Sequence, residues 1–163
     1  METIIIDAYN LMHKVTELRL LLQQSQDVTV DTMVSKLEGH FFGRVMKVVL
    51  VFDGMGKNKH SRNIEVKFAK TGVGPDWGNA DTLIKHLVEK SKNPKLVKVV
   101  SSDRDITLFA KECGCKIQTA ESFWGEVKDK RIERADAIRE AKEKPNVVTK
   151  TEFDFLLKEF TKK

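Results

Sequence analysis

Three short apolar runs constrain this chain more than any other feature, because each one delivers aspartate at its carboxyl end. Thr3-Ile4-Ile5-Ile6 runs into Asp7-Ala8-Tyr9-Asn10. Val48-Val49-Leu50-Val51-Phe52 runs into Asp53, and Leu96-Val97-Lys98-Val99-Val100 passes through two serines to Asp103 and Asp105. Runs of this length and β-branched content are composed like buried strands. In open α/β sheets, ligands bind outside the carboxyl ends of the strands. The fold and the chemistry are therefore both announced by the same three segments.

Between the runs the spacing is helical. Leu11 to Gln24 reads as a helix or helical turn, with Leu11, Val15, Leu18, Leu21 and Leu22 on one side. Thr29 to Val45 reads as a helix capped by Thr29 or Asp31, with Met33, Val34, Leu37, Phe41 and Val45 inward and with Glu38 and His40 in solvent. The strand ending at Asp53 leads into a loop, residues 54–63, holding Lys57, Lys59, His60 and Arg62. Ile64 to Phe68 alternates apolar and charged residues like an edge strand. A glycine-rich loop, 71–78, precedes a helix from Ala80-Asp81 to Lys90, closed by Asn93-Pro94. Arg104 to Glu112 is a helix ended by Gly114, followed by a strand from Cys115 to Thr119 and a charged helix from Ala120 to Lys144. Glu152 to Phe160 is a last amphipathic helix carrying Phe153, Leu156, Leu157 and Phe160. Alternating strands and helices predict an α/β fold, a parallel sheet with helices on both faces.

The length, 163 residues, suits a single domain with a helical extension from about residue 121, and 40 % hydrophobic residues suffice for a core. A net charge of +5 permits a polyanionic partner and is equally ordinary for a soluble protein. Cys113 and Cys115 are too close for a structural disulfide, and there is no further cysteine for a zinc site. With no signal-peptide pattern at the start and no apolar run of membrane-spanning length, the expected location is a reducing cytoplasm.

Each aspartate has a structural explanation of its own. Asp7 suits an Asx-turn or helix cap, Asp81 a first-turn acid, Asp103 an N-cap and Asp105 a first-turn acid. Capping does not require three of them to end separate strands with a fourth opening a helix at the same edge. If the strands are parallel neighbours, the carboxylates converge and repel, and a divalent cation relieves the conflict. Hard oxygen donors without His or Cys point to Mg²⁺ or Mn²⁺. Such a site suits phosphodiester hydrolysis, with Asn10 orienting water or a phosphate oxygen. Asp103-Arg104-Asp105-Ile106-Thr107 also fits the Asp-x-Asp-x-Thr pattern of haloacid-dehalogenase-type phosphatases, with Asp103 as nucleophile. That pattern normally follows the first strand, and here it follows the fourth.

Ile4-Ile5-Ile6-Asp7-Ala8-Tyr9-Asn10-Leu11, residues 48–54, Ala80-Asp81-Thr82-Leu83-Ile84 and residues 99–104 occur in the order of a known family. Together they resemble the YacP-like branch of NYN domains within the PIN nuclease superfamily, over roughly residues 2 to 128. The resemblance implies a PIN-like three-layer fold with about five parallel strands in the order 3-2-1-4-5. It implies a metal-dependent endoribonuclease whose acidic positions fall on Asp7, Asp81 and Asp103, with Asn10 and Asp53 alongside and Asp105 as auxiliary ligand or cap. It further implies RNA as partner, with ribosome-associated cutting of messenger RNA among its branch's roles. Two departures stand out. Ala8 replaces the usual glycine, and Gly78-Asn79 replaces a Glu-Thr pair, which removes one acidic ligand and leaves one or two metals open.

For RNA, Lys57, Lys59, His60 and Arg62 are candidate phosphate contacts on the acidic edge, with Arg104 beside Asp103. Trp77, in the glycine-rich loop, is a candidate for stacking on an unpaired base, whereas Trp124 is expected in the core. A competing reading is an RNA- or ribosome-binding module whose acidic site is weak or idle.

Overall fold

The computed structural model describes residues 1–143. Met1–Lys130 is one compact unit, and a second begins at Arg131. The chain opens with β1 (Glu2–Asp7), α1 (Ala8–Lys14), α2 (Thr16–Gln24) and α3 (Gln26–His40). β2 (Met46–Met55), β3 (Lys59–Ser61) and β4 (Ile64–Lys70) follow, then α4 (Ala80–Glu89). β5 (Val97–Val100), α5 (Arg104–Glu112), β6 (Lys116–Gln118) and α6 (Ala120–Glu143) complete the described chain. The expected helix from Glu152 to Phe160 lies outside the described residues.

The strands form one sheet in the order β3-β4-β2-β1-β5-β6. All neighbours run parallel except the β3–β4 pair. The five parallel strands therefore carry the expected 3-2-1-4-5 order, with β1 at the centre. Strand alternation sorts the core into two layers. Ile4, Ile6, Leu50 and Phe52 face α1, α2, α3 and α6, against Leu11, Leu18, Met33, Leu37 and Trp124. Ile5, Val49, Val51, Val97 and Val99 face α4 and α5, against Leu83, Ile84, Ile106 and Ala110. Because the period of a strand is two, Asp7, Asp53 and Ser101 continue the second set and end on the α4–α5 side. Trp124 is buried in the first layer, its indole N–H donating to Glu17 with Lys36 5.5 Å from the ring centre.

Several local expectations are corrected. The helix expected from Leu11 to Gln24 is two, because Val15 is extended at φ −100°, ψ 117° and turns the chain so that both Leu11 and Leu18 reach the core. α3 starts earlier than expected, capped by the Ser25 hydroxyl accepting from the Val28 N–H rather than by Thr29 or Asp31. It stops at His40, with Gly43 in the left-handed region, so Val45 is 88 % exposed instead of lining the stripe. His40 is buried, its ring edge-on to Phe41, and Glu38 accepts a hydrogen bond from the Ser61 hydroxyl rather than standing alone in water.

The largest correction concerns the basic loop. Residues 59–61 pair antiparallel with β4, so β4 is covered and β3 takes the edge. The hairpin is held from above by Gly56, whose N–H donates to Lys70, and by Asn58, which accepts from the Phe68 N–H. A Cβ on Gly56 would lie 2.5 Å from the Phe68 ring. Gly56→Ala is expected to cost roughly 1–3 kcal/mol as an overpacked contact. Thermal unfolding would show it as a lower Tm, and an unchanged Tm would mean the ring yields freely.

Candidate active site

Asp7 is the deepest of the acidic groups, 7 % exposed at the end of the central strand. Its Oδ1 accepts from the Asn10 N–H and its Oδ2 from the Ser101 hydroxyl, both at 3.4 Å. These long bonds do not compensate its burial. Desolvation, together with the charges of Asp81 and Asp53, raises its pKa from 3.8 to about 6.

The other carboxylates come from the elements around it. Asp53, exposed at the end of β2, accepts the Ala80 N–H at 2.5 Å and so ties that strand to the start of α4. Asn79 caps α4, accepting from the Thr82 N–H at 2.9 Å, and this places Asp81 in the first turn. The Asp81 carboxyl is also pushed up, by burial first and then by Asp103 and Asp53, with Lys85 opposing and Asp105 adding. Asp103 caps α5 through the Asp105 N–H at 2.8 Å. Asp53 and Asp81 thus lie within electrostatic reach of Asp7, and Asp53, Asp103 and Asp105 within reach of Asp81.

Two polar side chains, Asn10 and Ser101, tie the strand ends together. Asn10, expected to orient water or phosphate, uses its carboxamide oxygen to accept the Ser102 N–H at 2.8 Å, which locks the β5–α5 turn. Ser101 is fully buried, donates to Asp7 and accepts the Asp103 N–H at 3.1 Å. It was not singled out from the sequence, although it stands two residues before Asp103 at a strand end. Tyr9 was likewise passed over; its hydroxyl accepts from Gln26 Nε2 at 2.6 Å.

The donor set is all hard oxygen, and its ionised form is strained by like charge, so in chemistry it fits Mg²⁺ or Mn²⁺. In placement the fit is incomplete. Among the described residues, no three of His, Cys, Asp and Glu close into a group that could hold a metal ion. One oxygen of Asp53 and one of Asp103 are held by backbone N–H groups, leaving the second oxygen of each for any further ligand.

The basic residues do not all share this edge. Lys57 lies in the loop leaving β2 at the acidic end. Lys59 and His60 lie on β3, which runs back along β4, and both are exposed. Arg62 follows β3 at the turn into Ile64, which pairs with Val48 near the start of β2. Five residues of strand separate Val48 from Asp53, roughly 16 Å, so Arg62 sits at the opposite end of the sheet. Its guanidinium lies 5.5 Å from the Phe42 ring centre. Arg104 is exposed at the start of α5, between Asp103 and Asp105. Trp77 is half-buried against the α4–α5 layer, its ring 4.1 Å from that of His86.

The family profile of the YacP-like NYN domain matches residues 4–161. The chain belongs to the YacP-like NYN family. That family lies within the PIN nuclease superfamily. Its fold resembles two crystal structures of Rae1 (YacP) from Bacillus subtilis. One is a tryptophan-to-leucine mutant, with TM-score 0.69 and 23 % identity over 90 % of this chain and 87 % of that one. The other has TM-score 0.61 and 21 % identity over 98 % of this chain and 92 % of that one. No curated protein matches this chain. Among the described residues, no helix is long and apolar enough to cross a membrane.

The strain on Asp7 gives this NYN domain a testable pH dependence. A carboxylate whose folded pKa lies above its unfolded value destabilises the fold once ionised, and the penalty disappears as pH falls through that folded value. With the pKa moved from 3.8 to about 6, the penalty is roughly 3 kcal/mol at neutral pH. Asp7→Asn removes the charge and is expected to raise stability by about 1–3 kcal/mol at neutral pH in chelator, with the gain fading towards pH 4. Urea unfolding across pH measures this, and a destabilised variant at neutral pH would contradict it.

Proposed function

We propose that this NYN domain is a metal-dependent endoribonuclease hydrolysing phosphodiester bonds of single-stranded RNA, including messenger RNA on the ribosome, in the cytoplasm. The observation that supports the reading is the buried Asp7 at the end of the central strand, whose charge is opposed by burial and by Asp81 and Asp53. The nuclease domain spans the whole chain, with a helical extension from about residue 121.

Asp7, Asp81 and Asp103 would hold one or two Mg²⁺ or Mn²⁺ ions, with Asp105 as an auxiliary oxygen donor. A divalent cation bound there would supply activated water and offset phosphate charge. Asp53 keeps Asp81 in place through the start of α4. Asn10 and Ser101 keep Asp103 in place through the β5–α5 turn. Lys57 and Arg104 offer cations to the RNA backbone at the acidic end, while Lys59, His60 and Arg62 extend a basic track along the edge strand. Trp77 contributes stacking at the mouth of α4 where RNA approaches its half-buried ring.

A second reading is favoured by one observation, the lack of a closed three-ligand group among the described residues. It is an RNA- or ribosome-binding module with a weak acidic site. The phosphatase alternative, with Asp103 as nucleophile, has less support, because that carboxylate is engaged in capping α5 and the chain belongs to a nuclease superfamily.

Cleavage of labelled RNA, free and on translating ribosomes, separates these readings. The nuclease is expected to cut with Mn²⁺ or Mg²⁺, to stop in EDTA, and to lose at least ~100-fold in rate with Asp81→Asn. Tight RNA or ribosome binding without cutting in any condition would favour the binding module.

A further inference from the structure

The acidic end of the sheet carries an aromatic surface that the function proposed above leaves unused. Tyr9 and His13 lie one turn apart on α1 and stack, with ring centres 6.3 Å apart and planes inclined by 26°. Tyr9 in turn stands edge-on to Phe52, the residue before Asp53, at 5.7 Å and 84°. Phe52 is fully buried and stacks on Phe68 at 5.2 Å. Gln26, the first residue of α3, holds the Tyr9 hydroxyl. The row of rings is thus anchored in the core at one end, while His13 is exposed at the other.

This row starts two residues from Asp7 and leads outward. A ring fixed from beneath loses little freedom when a flat partner settles on it. Nucleobases are such partners, and stacking on aromatic side chains tolerates any base because each has a π-face.

We propose that the Tyr9–His13 pair is a base-stacking platform, on which an unpaired nucleobase of the substrate lies over His13 while the adjoining phosphate reaches the acidic patch. The inference rests on the RNA-cleaving reading and adds a reason for single-strand preference. Bases inside a duplex are already stacked on their neighbours and cannot settle on the ring.

The test uses full-length Asp81→Asn protein as the binding host and a single-stranded oligoribonucleotide carrying 2-aminopurine, whose fluorescence is quenched by stacking. Binding is expected to quench the probe. Adding His13→Ala should weaken binding about tenfold and abolish the quench. His13→Phe should restore both, because it keeps a stacking ring. Affinity for a duplex of the same sequence should be unchanged by His13→Ala. Since His13 is exposed, equal melting temperatures are expected for all variants. Unchanged single-strand affinity with the quench intact in His13→Ala overturns the platform. Cleavage assays on wild type and Asp81→Asn alone report separately on the parent reading. Full cutting by Asp81→Asn overturns that reading and leaves the platform to be judged by the quench.

Discussion

The structure turns on a carboxylate buried at the end of its central strand. Asp7 sits where β1 emerges between β2 and β5, paired with Val51 on one side and one residue past the Ile6–Val100 pair on the other. Burial alone disfavours its charge, and Asp53 and Asp81 add to the cost. A chain selected only for stability would place Asn or Ser here. The arrangement becomes reasonable once a cation or a developing charge has to be met at this point, and clustered, perturbed titratable groups mark functional sites for this reason.

The surrounding hydrogen bonds read as supports for that patch. Asp53 fastens the end of β2 to the first N–H of α4, and Asn10 fastens the start of α1 to the turn before α5. Ser101 lies between Asp7 and Asp103 and bonds to both residues. All but the Ser101–Asp103 contact join elements that are far apart in sequence, so the packing of the sheet positions these groups. On the other side of β1 the rings of Tyr9, Phe52 and Phe68 form a rigid base for the same edge. Gly56 makes room for the last of them.

The sheet and its acidic end were legible because strands with a period of two and apolar β-branched content declare both their burial and their exit points. The order of five strands followed from the family resemblance and agreed with the alternation of elements. The basic hairpin was not legible. Lys59-His60-Ser61 is short and polar, and nothing local distinguishes an edge strand of that composition from a loop. Its course decides that Arg62 lies far from Asp53, which only the pairing register reveals. Ser101 and Tyr9 escaped for a related reason. A serine after a strand is common, and the partners that give these two their meaning, Asp7 and Gln26, are 94 and 17 residues away. The break at Val15 depends on Leu11 and Leu18 reaching one core, a tertiary demand that overrides helical spacing.

Titration of the aspartate side-chain carboxyl carbons by NMR, with and without Mg²⁺, reads the state of Asp7 directly. Asp7 is expected to titrate near 6 in the absence of metal, and Mg²⁺ is expected to move its midpoint down, with Asp81 responding in the same direction. A midpoint near the ordinary aspartate value, unmoved by Mg²⁺, would show that the carboxylates at the strand ends are neither coupled nor poised for a cation.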